Sequence, residues 1–378
     1  MIKFTDPSAD PGILDAIETF CRKALAPRAA EIDAQSIFAT CHLPALSELG
    51  VMGLNLPGNY GGAGVDPHTL FEAVALISGA CASTGSMLTA HYLATDSIKY
   101  GGDDSQKARW LASAANGASL GAFALTEPGA GSNPADMTTT ATRIDGGYRL
   151  KGTKHFISNA GQADFIIVYA KTDMAAGARG IGAFVVEPAR GGLQIGPAER
   201  TMGLRGGHVF EVAIDCVVPA ENRLGPEGSG FRTALRVLDA GRLDIAASCV
   251  GIAESAFHAA TDWAKTRRVG GEPIATFQGL QWMLADMATD IAAARGLARA
   301  ATLKRAAGER FSTEASMAKL FAAEMAGRVT DKALQIHGGY GFTRDMPLER
   351  YVRDVRIMRI YEGSSEIQRN IIARAVLG

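Results

Sequence analysis

Phe165-Ile166-Ile167-Val168-Tyr169 decides the reading of the fold. Five β-branched, aliphatic and aromatic residues in a row, set between turn-forming stretches, read as a strand. Ala183-Phe184-Val185-Val186 and Val209 to Ile214 repeat the signal, and Asp145-Gly146-Gly147 between them and the N-terminal part offers a tight hairpin turn. Outward from this block the period changes. On the N-terminal side Ile13, Ile17 and Phe20 fall at helical spacing, and Asp103 stands three residues before Gln106 at a helix start that runs into Trp110 and Leu111. On the C-terminal side Ala318, Phe321, Met325, Val329, Ala333 and Ile336 step down one helical face, and Gly338-Gly339 stops it. Stretches 231–266 and 277–307, with a last helix after 364, make a four-helix packing the simplest arrangement. The expected fold class is α+β, mostly α: an N-terminal helical domain over 1–120, a middle β-barrel-like domain over 121–228 and a C-terminal four-helix bundle over 229–378. The α–β–α order is not the alternating βα pattern of a dinucleotide fold.

Composition narrows the function. The 378 residues carry Lys+Arg 38 against Asp+Glu 39, a formal net charge of −1, so no basic excess marks a nucleic-acid binder. No apolar run approaches the roughly 18 residues that span a bilayer, and Met1 to Pro7 lacks the layout of a signal peptide, so a soluble cytoplasmic protein with no membrane insertion is expected. Cys21, Cys41, Cys81, Cys216 and Cys249 are odd in number and widely spaced, and the seven histidines form no ligand spacing, so neither disulfides nor a metal site is signalled. No G-x-S-x-G elbow occurs.

Three clusters can carry chemistry. Leu125-Thr126-Glu127-Pro128-Gly129-Ala130-Gly131-Ser132 is a glycine loop whose backbone N–H groups can approach a flat or anionic ligand, though by itself it is equally an ordinary turn. In Lys154-His155-Phe156-Ile157-Ser158-Asn159 an aromatic and a hydroxyl two residues apart share one face of a strand end, suited to shielding and hydrogen-bonding a flavin ring; a core Phe beside a capping Ser is the plainer account. In Ile360-Tyr361-Glu362-Gly363-Ser364-Ser365-Glu366-Ile367-Gln368-Arg369, Ser365 and Gln368 fit a capping box, while Glu362 on the preceding loop could act as a general base if desolvated. Spacing does not choose between these accounts. Arg350, Arg353, Arg356 and Arg359 read as a solvated or ion-paired helix face.

At these clusters, and at Thr201 to Arg205, Arg267 to Gln278, Leu284 to Met287 and Gln335 to Gly339, the sequence resembles the acyl-CoA dehydrogenase family over essentially the whole chain. The resemblance implies FAD between the middle domain and the bundle, with Phe123, Leu125, Thr126, Gly131, Ser132, Phe156, Ile157 and Ser158 along the flavin and ribityl portions. Arg267, Gln278, Gln335, Ile336, Gly338 and Gly339 would come from a neighbouring subunit of a homotetramer built as a dimer of dimers, and Ser364, Ser365 and Glu366 would complete the site. Ser132, Asp239, Arg242 and Gly363 match positions against the acyl-CoA. Glu362 would take the α-proton while the β-hydrogen leaves as hydride to the flavin beside Ser158, giving the trans-2-enoyl-CoA, with electrons passed on to an electron-transferring flavoprotein. The isovaleryl and long-chain types place the base where this chain has Gly241, so Glu362 is favoured. Gly241 to Ala246, Phe156 to Ser158 and Leu284 to Thr289 most resemble isobutyryl-CoA and related short branched-chain dehydrogenases. Gly270 departs from the Phe usual in the family and puts cofactor affinity or subunit packing in question. The alternatives are a flavin oxidase or monooxygenase on the same fold, a dehydrogenase for another acyl chain, or a non-catalytic acyl-CoA binder.

Overall fold

The computed structural model describes residues 4–378; Met1 to Lys3, part of the leader reading, lie outside the described residues. Six helices come first: α1 (Pro11–Phe20), α2 (Ala26–Gln35), α3 (Leu43–Glu48), α4 (Pro67–Ala80), α5 (Ala82–Gly101) and α6 (Asp104–Ala115). Their starts are chemically specified. Asp10 and Asp66 each accept two backbone N–H groups ahead of a proline at the first helical position, and Asp103 and Gln106 form the expected capping box of α6. Helix α5 is buried from Ala82 to Ile98 although it carries many small polar residues. Several of those polar groups are paired internally, as in Thr84 with His42 at 3.0 Å and Asn55 with Thr95 at 3.0 Å.

The middle of the chain forms an eight-stranded sheet from β1 (Gly121–Ala124), β2 (Thr140–Ile144), β3 (Gly147–Ser158), β4 (Phe165–Lys171), β5 (Ile181–Val186), β6 (Leu193–Ile195), β7 (Val209–Pro219) and β8 (Arg223–Leu224). The order is β6-β7-β3-β2-β4-β5-β8, with β1 also parallel to β4. Asp145-Gly146 turns the β2–β3 hairpin, with Gly146 at φ +73°. The run Phe165–Tyr169 is continuous because β4 is covered on both faces. Phe165, Ile167 and Tyr169 pack with Ala94, Ile98, Trp110 and Leu111 of α5 and α6; Ile166, Val168 and Ala170 pack with Phe184, Phe210 and Val212 inside the sheet. By contrast β7 alternates buried and exposed residues, with one side in solvent.

The C-terminal part is built on α7 (Gly230–Thr266), followed by a short hairpin of β9 (Arg268–Val269) and β10 (Glu272–Pro273), then α8 (Gln278–Ala306), α9 (Ser312–His337), α10 (Leu348–Val355) and α11 (Ser365–Leu377). With 37 residues, α7 is about 55 Å long and packs on α4 and α5 as well as on α8 and α9, joining the two helical parts. The fourth place of the bundle is shared, since α10 and α11 both pack on α9. Arg353 of α10 is ion-paired with Asp33 and Glu349, each at 2.6 Å. One local expectation is corrected: Ser364, not Ser365, caps α11, accepting from Ile367 N at 3.4 Å. Ser365 is turned inward instead, its hydroxyl donating to Glu324 Oε1 at 2.7 Å, and Gln368 reaches back to carbonyls rather than to a cap N–H. Among the described residues no helix is long and apolar enough to cross a membrane, and no group of His, Cys, Asp or Glu could hold a metal.

Candidate active site

Where the end of β1, the end of β3, α5, α7 and α11 converge, they enclose a cavity of about 680 Å³. That volume suits an organic ligand. Residues singled out in the sequence line it from three separate stretches: Phe123, Leu125, Thr126, Gly131 and Ser132; Phe156, Ile157 and Ser158; and Arg242, Glu362 and Gly363. The family resemblance marks the stretches 85–100 and 239–245 as setting pocket depth, and Ser86, Thr89, Ala90 and Leu93 of α5 do form walls; Phe231, Leu235 and Leu238 of α7 are not singled out by it. Their helical periodicity is indistinguishable from core packing, so no local signal marks them.

The glycine loop is held by a buried ion pair. Lys154, fully buried on β3, donates to Glu127 Oε1 at 2.9 Å and to Leu125 O at 3.0 Å. The other lone pairs of Glu127 accept from Thr138 N at 2.6 Å, Thr138 Oγ1 at 2.8 Å and Thr139 N at 3.0 Å. Burial alone would raise the Glu127 carboxyl, but the Lys154 ammonium and the threonine donors hold it down to about 2. His155 N donates to Thr126 O at 2.9 Å in place of a ladder bond, and β3 bulges between Lys154 and Ile157. The bulge sets Phe156 at φ +58°, 60% exposed and stacked on His155 with ring centroids 4.0 Å apart. An aromatic left-handed and open at a cavity rim is unusual and points to a ligand surface. Neither Gly129 nor Gly131 has a positive φ, and a Cβ at either would meet no protein atom within 4 Å, so neither the turn nor the chain's own packing requires glycine there. An aromatic face, a hydroxyl at Ser158 and an uncrowded backbone fit a flat, polar-edged ring such as a flavin.

Glu362 lies opposite, in the turn before α11, with φ +51°. Its Oε2 is shut off from solvent and has no hydrogen-bond partner. Burial pushes its carboxyl up to about 7, against the pull of the Lys319 ammonium and the Arg242 guanidinium. A carboxyl so placed exchanges a proton near neutrality. Gly241 of α7 makes the room for it: an added Cβ would collide with Glu362 Oε2 and press on Leu93 Cδ2 at 2.7 Å. We therefore expect Gly241→Ala to displace the carboxylate and cut the rate of flavin reduction by about 10²-fold with flavin retained. Wild-type stopped-flow rates in that variant would show that the carboxylate is not confined there.

The remaining candidates lie elsewhere. Arg242 is ion-paired with Asp239, which also accepts from Ser312 Oγ at 2.8 Å. Asp239 opens onto a second cavity of about 610 Å³ whose walls include Lys99, Arg236, Arg305 and Arg310, a set of cations that sequence spacing did not group. Arg267, Ile336, Gly338 and Gly339 line a third cavity of about 500 Å³ beside Trp263 and Tyr340, away from Glu362. Gln278 and Gln335 are exposed at the start of α8 and near the end of α9. Ser364, Ser365 and Glu366 begin α11 outside the walls of the Glu362 cavity.

Comparison with known proteins bears on this geometry. The N-terminal, middle and C-terminal domains described for acyl-CoA dehydrogenases match residues 11–118, 122–217 and 228–377. A short-chain specific acyl-CoA dehydrogenase of Clostridium acetobutylicum is 40% identical over 94% of this chain and 95% of its own length. The structure of butyryl-CoA dehydrogenase from Megasphaera elsdenii superposes with a TM-score of 0.96 at 38% identity, covering 100% of each chain. A chain from the structural work on the electron-transferring flavoprotein of Acidaminococcus fermentans and flavin-based electron bifurcation gives 0.96 at 40% identity, again over 100% of each. With all three domains matched in order and the whole fold superposed, the chain belongs to the acyl-CoA dehydrogenase family and is an acyl-CoA dehydrogenase.

Proposed function

We propose that the enzyme removes the α and β hydrogens of a short-chain acyl-CoA, with Glu362 as the base, and that the unpartnered carboxylate oxygen of Glu362 in the cavity is the observation that carries this reading. The family is FAD-dependent, and bound FAD supplies the acceptor for the two electrons and the β-hydrogen. Phe123, Leu125, Thr126, Gly131, Ser132, Phe156, Ile157 and Ser158 would hold its ring and ribityl portions. Glu362 takes the α-proton, which requires that it be ionised on substrate entry; a carboxyl at about 7 is half ionised at neutral pH and still basic enough to accept. A thioester α-hydrogen yields only when the developing enolate oxygen is stabilised, and the backbone N–H groups of the Glu362–Gly363 turn, which lines the cavity, would donate to it.

The acyl end is read as short. Leu93 packs against Gly241 beside the base, and a side chain of that size there would favour a short acyl group. Ser132 and Arg242 also line the cavity, and the Lys99, Arg236, Arg305 and Arg310 cavity next to Asp239 has the charge that would receive the phosphates of coenzyme A. Homotetramer formation would bring Arg267, Gln278 and Gln335 to Gly339 to a neighbouring copy's FAD, in keeping with the exposed Tyr340 and Phe342 beside them. An electron-transferring flavoprotein as electron acceptor is supported by the matching chain from the Acidaminococcus work.

Anaerobic titration of the yellow protein tests the reading. Butyryl-CoA, the thioester for which the Megasphaera enzyme is named, or isobutyryl-CoA, towards which the sequence leans, should bleach the flavin, whereas octanoyl-CoA should not. Bleaching by octanoyl-CoA alone would overturn the short pocket, and bleaching by none would overturn the dehydrogenase assignment of this cavity.

A further inference from the structure

Lys319 is fully buried on α9, and its Nζ donates to the carbonyl of Gly363 at 2.7 Å. Gln368, also fully buried, donates from Nε2 to the same carbonyl at 2.9 Å and to the Glu362 carbonyl at 3.2 Å. The turn so held is a costly one, with Glu362 at φ +51° and Gly363 at φ +87°. A non-glycine residue stays left-handed only where its surroundings over-determine it, and here two buried side chains from different helices occupy the turn's carbonyls. Because the peptide unit is planar and trans, a Glu362 carbonyl fixed on Gln368 also fixes the Gly363 N–H on the opposite side.

We propose that Lys319 is a positioning residue for Glu362, its ammonium anchoring the Glu362–Gly363 turn from α9 and setting the charge against which the carboxylate is poised. The inference rests on the reading of Glu362 as the base and adds to it the residue that controls where and when that base is ionised. Facing Glu362 are Arg242 and Asp244 of α7, Lys319 of α9 and the neighbouring Tyr361 hydroxyl, while Cys249 of α7 and Glu324 of α9 face Lys319. Arg242 is already committed to Asp239, while Lys319 is bonded to the turn itself. The cost of burying Lys319 shows in its own titration, which burial pushes down to about 8.

Lys319→Met, close in shape and without charge, separates this role from core filling. It should keep its flavin, lose about 10- to 100-fold in the rate of flavin reduction by butyryl-CoA, and move the acid limb of kcat/KM up by about one pH unit, since the base loses a nearby positive charge. Lys319→Gln, a milder change that keeps a donor, should move the limb equally while losing less rate. In a Glu362→Gln background Lys319→Met should lose clearly less rate than in the wild type, because no base remains to be placed and only the turn's N–H donors are disturbed. A lowered melting temperature with an unmoved acid limb would make Lys319 a core residue and overturn the proposal. So would a full independent loss in the Glu362→Gln background. Wild-type reduction by Glu362→Gln itself would instead sink the base assignment, and this inference with it.

Discussion

Glu362→Gln is expected to bind FAD, fold and associate as the wild type does, yet reduce its flavin with butyryl-CoA at a rate lower by on the order of 10³-fold or more. The amide is isosteric with the carboxylate, and the site is already shaped for it: Gly241 leaves the space, while Lys319 and Gln368 hold the backbone on either side. Only the capacity to take a proton is lost. Stopped-flow absorbance of the anaerobic enzyme measures the effect, and a rate within a few-fold of wild type would remove Glu362 from the mechanism. The same variant carries a stability prediction whose sign follows from linkage. Burial raises the Glu362 carboxyl in the folded state to about 7, so the folded protein retains a proton that the unfolded chain has lost. That contribution is fully present below the ordinary carboxylate range and is lost as the pH rises through about 7. Glu362→Gln, which titrates in neither state, should therefore gain in melting temperature over the wild type between pH 5 and pH 8. A buried carboxylate at Glu362 thus costs stability near the pH where the proposed base would act.

The fold was legible where one local rule dominates. Asp103 with Gln106 forms the capping box its spacing implies, Asp145-Gly146 turns a hairpin, and Gly338 stops α9 at a positive φ of +59°. At Ser364-Ser365 two adjacent candidates compete for one cap, and the choice falls to a residue distant in sequence, Glu324, which takes the Ser365 hydroxyl. The catalytic cluster was only half legible. Phe156 with Ser158 and Glu362 with Gly363 could be picked out as possible chemistry, and Gly241 by the family resemblance, but that Gly241 leaves the space filled by the Glu362 carboxylate, with Leu93 packed beside it, comes from the fold and has no local spacing signal. The role of Lys154 was likewise hidden, because an ion pair between residues 27 apart is created by the sheet and not by spacing.

Lys154→Met tests that hidden pair, and its effect should be the largest on stability in the molecule, a loss of about 3–5 kcal/mol, because it strands the Glu127 carboxylate in a site without solvent. Three threonine-derived donors remain on Glu127, but none carries charge. The consequence for function follows from geometry: Lys154 also holds the Leu125 carbonyl, so releasing it frees both ends of the stretch from Leu125 to Glu127 that forms one wall of the cavity. Flavin should then be lost on dialysis even at temperatures where the chain stays folded, and excess FAD should recover part of the melting temperature by mass action. The pH dependence separates this account from simple loss of packing. Glu127, held down to about 2, contributes stability that is present above the ordinary carboxylate range and lost as the pH falls through about 2. Removing the ammonium raises the Glu127 carboxyl, so the deficit of Lys154→Met relative to wild type should be widest near neutrality and shrink on acidification as Glu127 protonates. A deficit that stays constant from pH 7 to pH 4 would assign the effect to lost packing of the lysine stem, and the wall of the flavin cavity would then owe its position to the bulge at Phe156 alone.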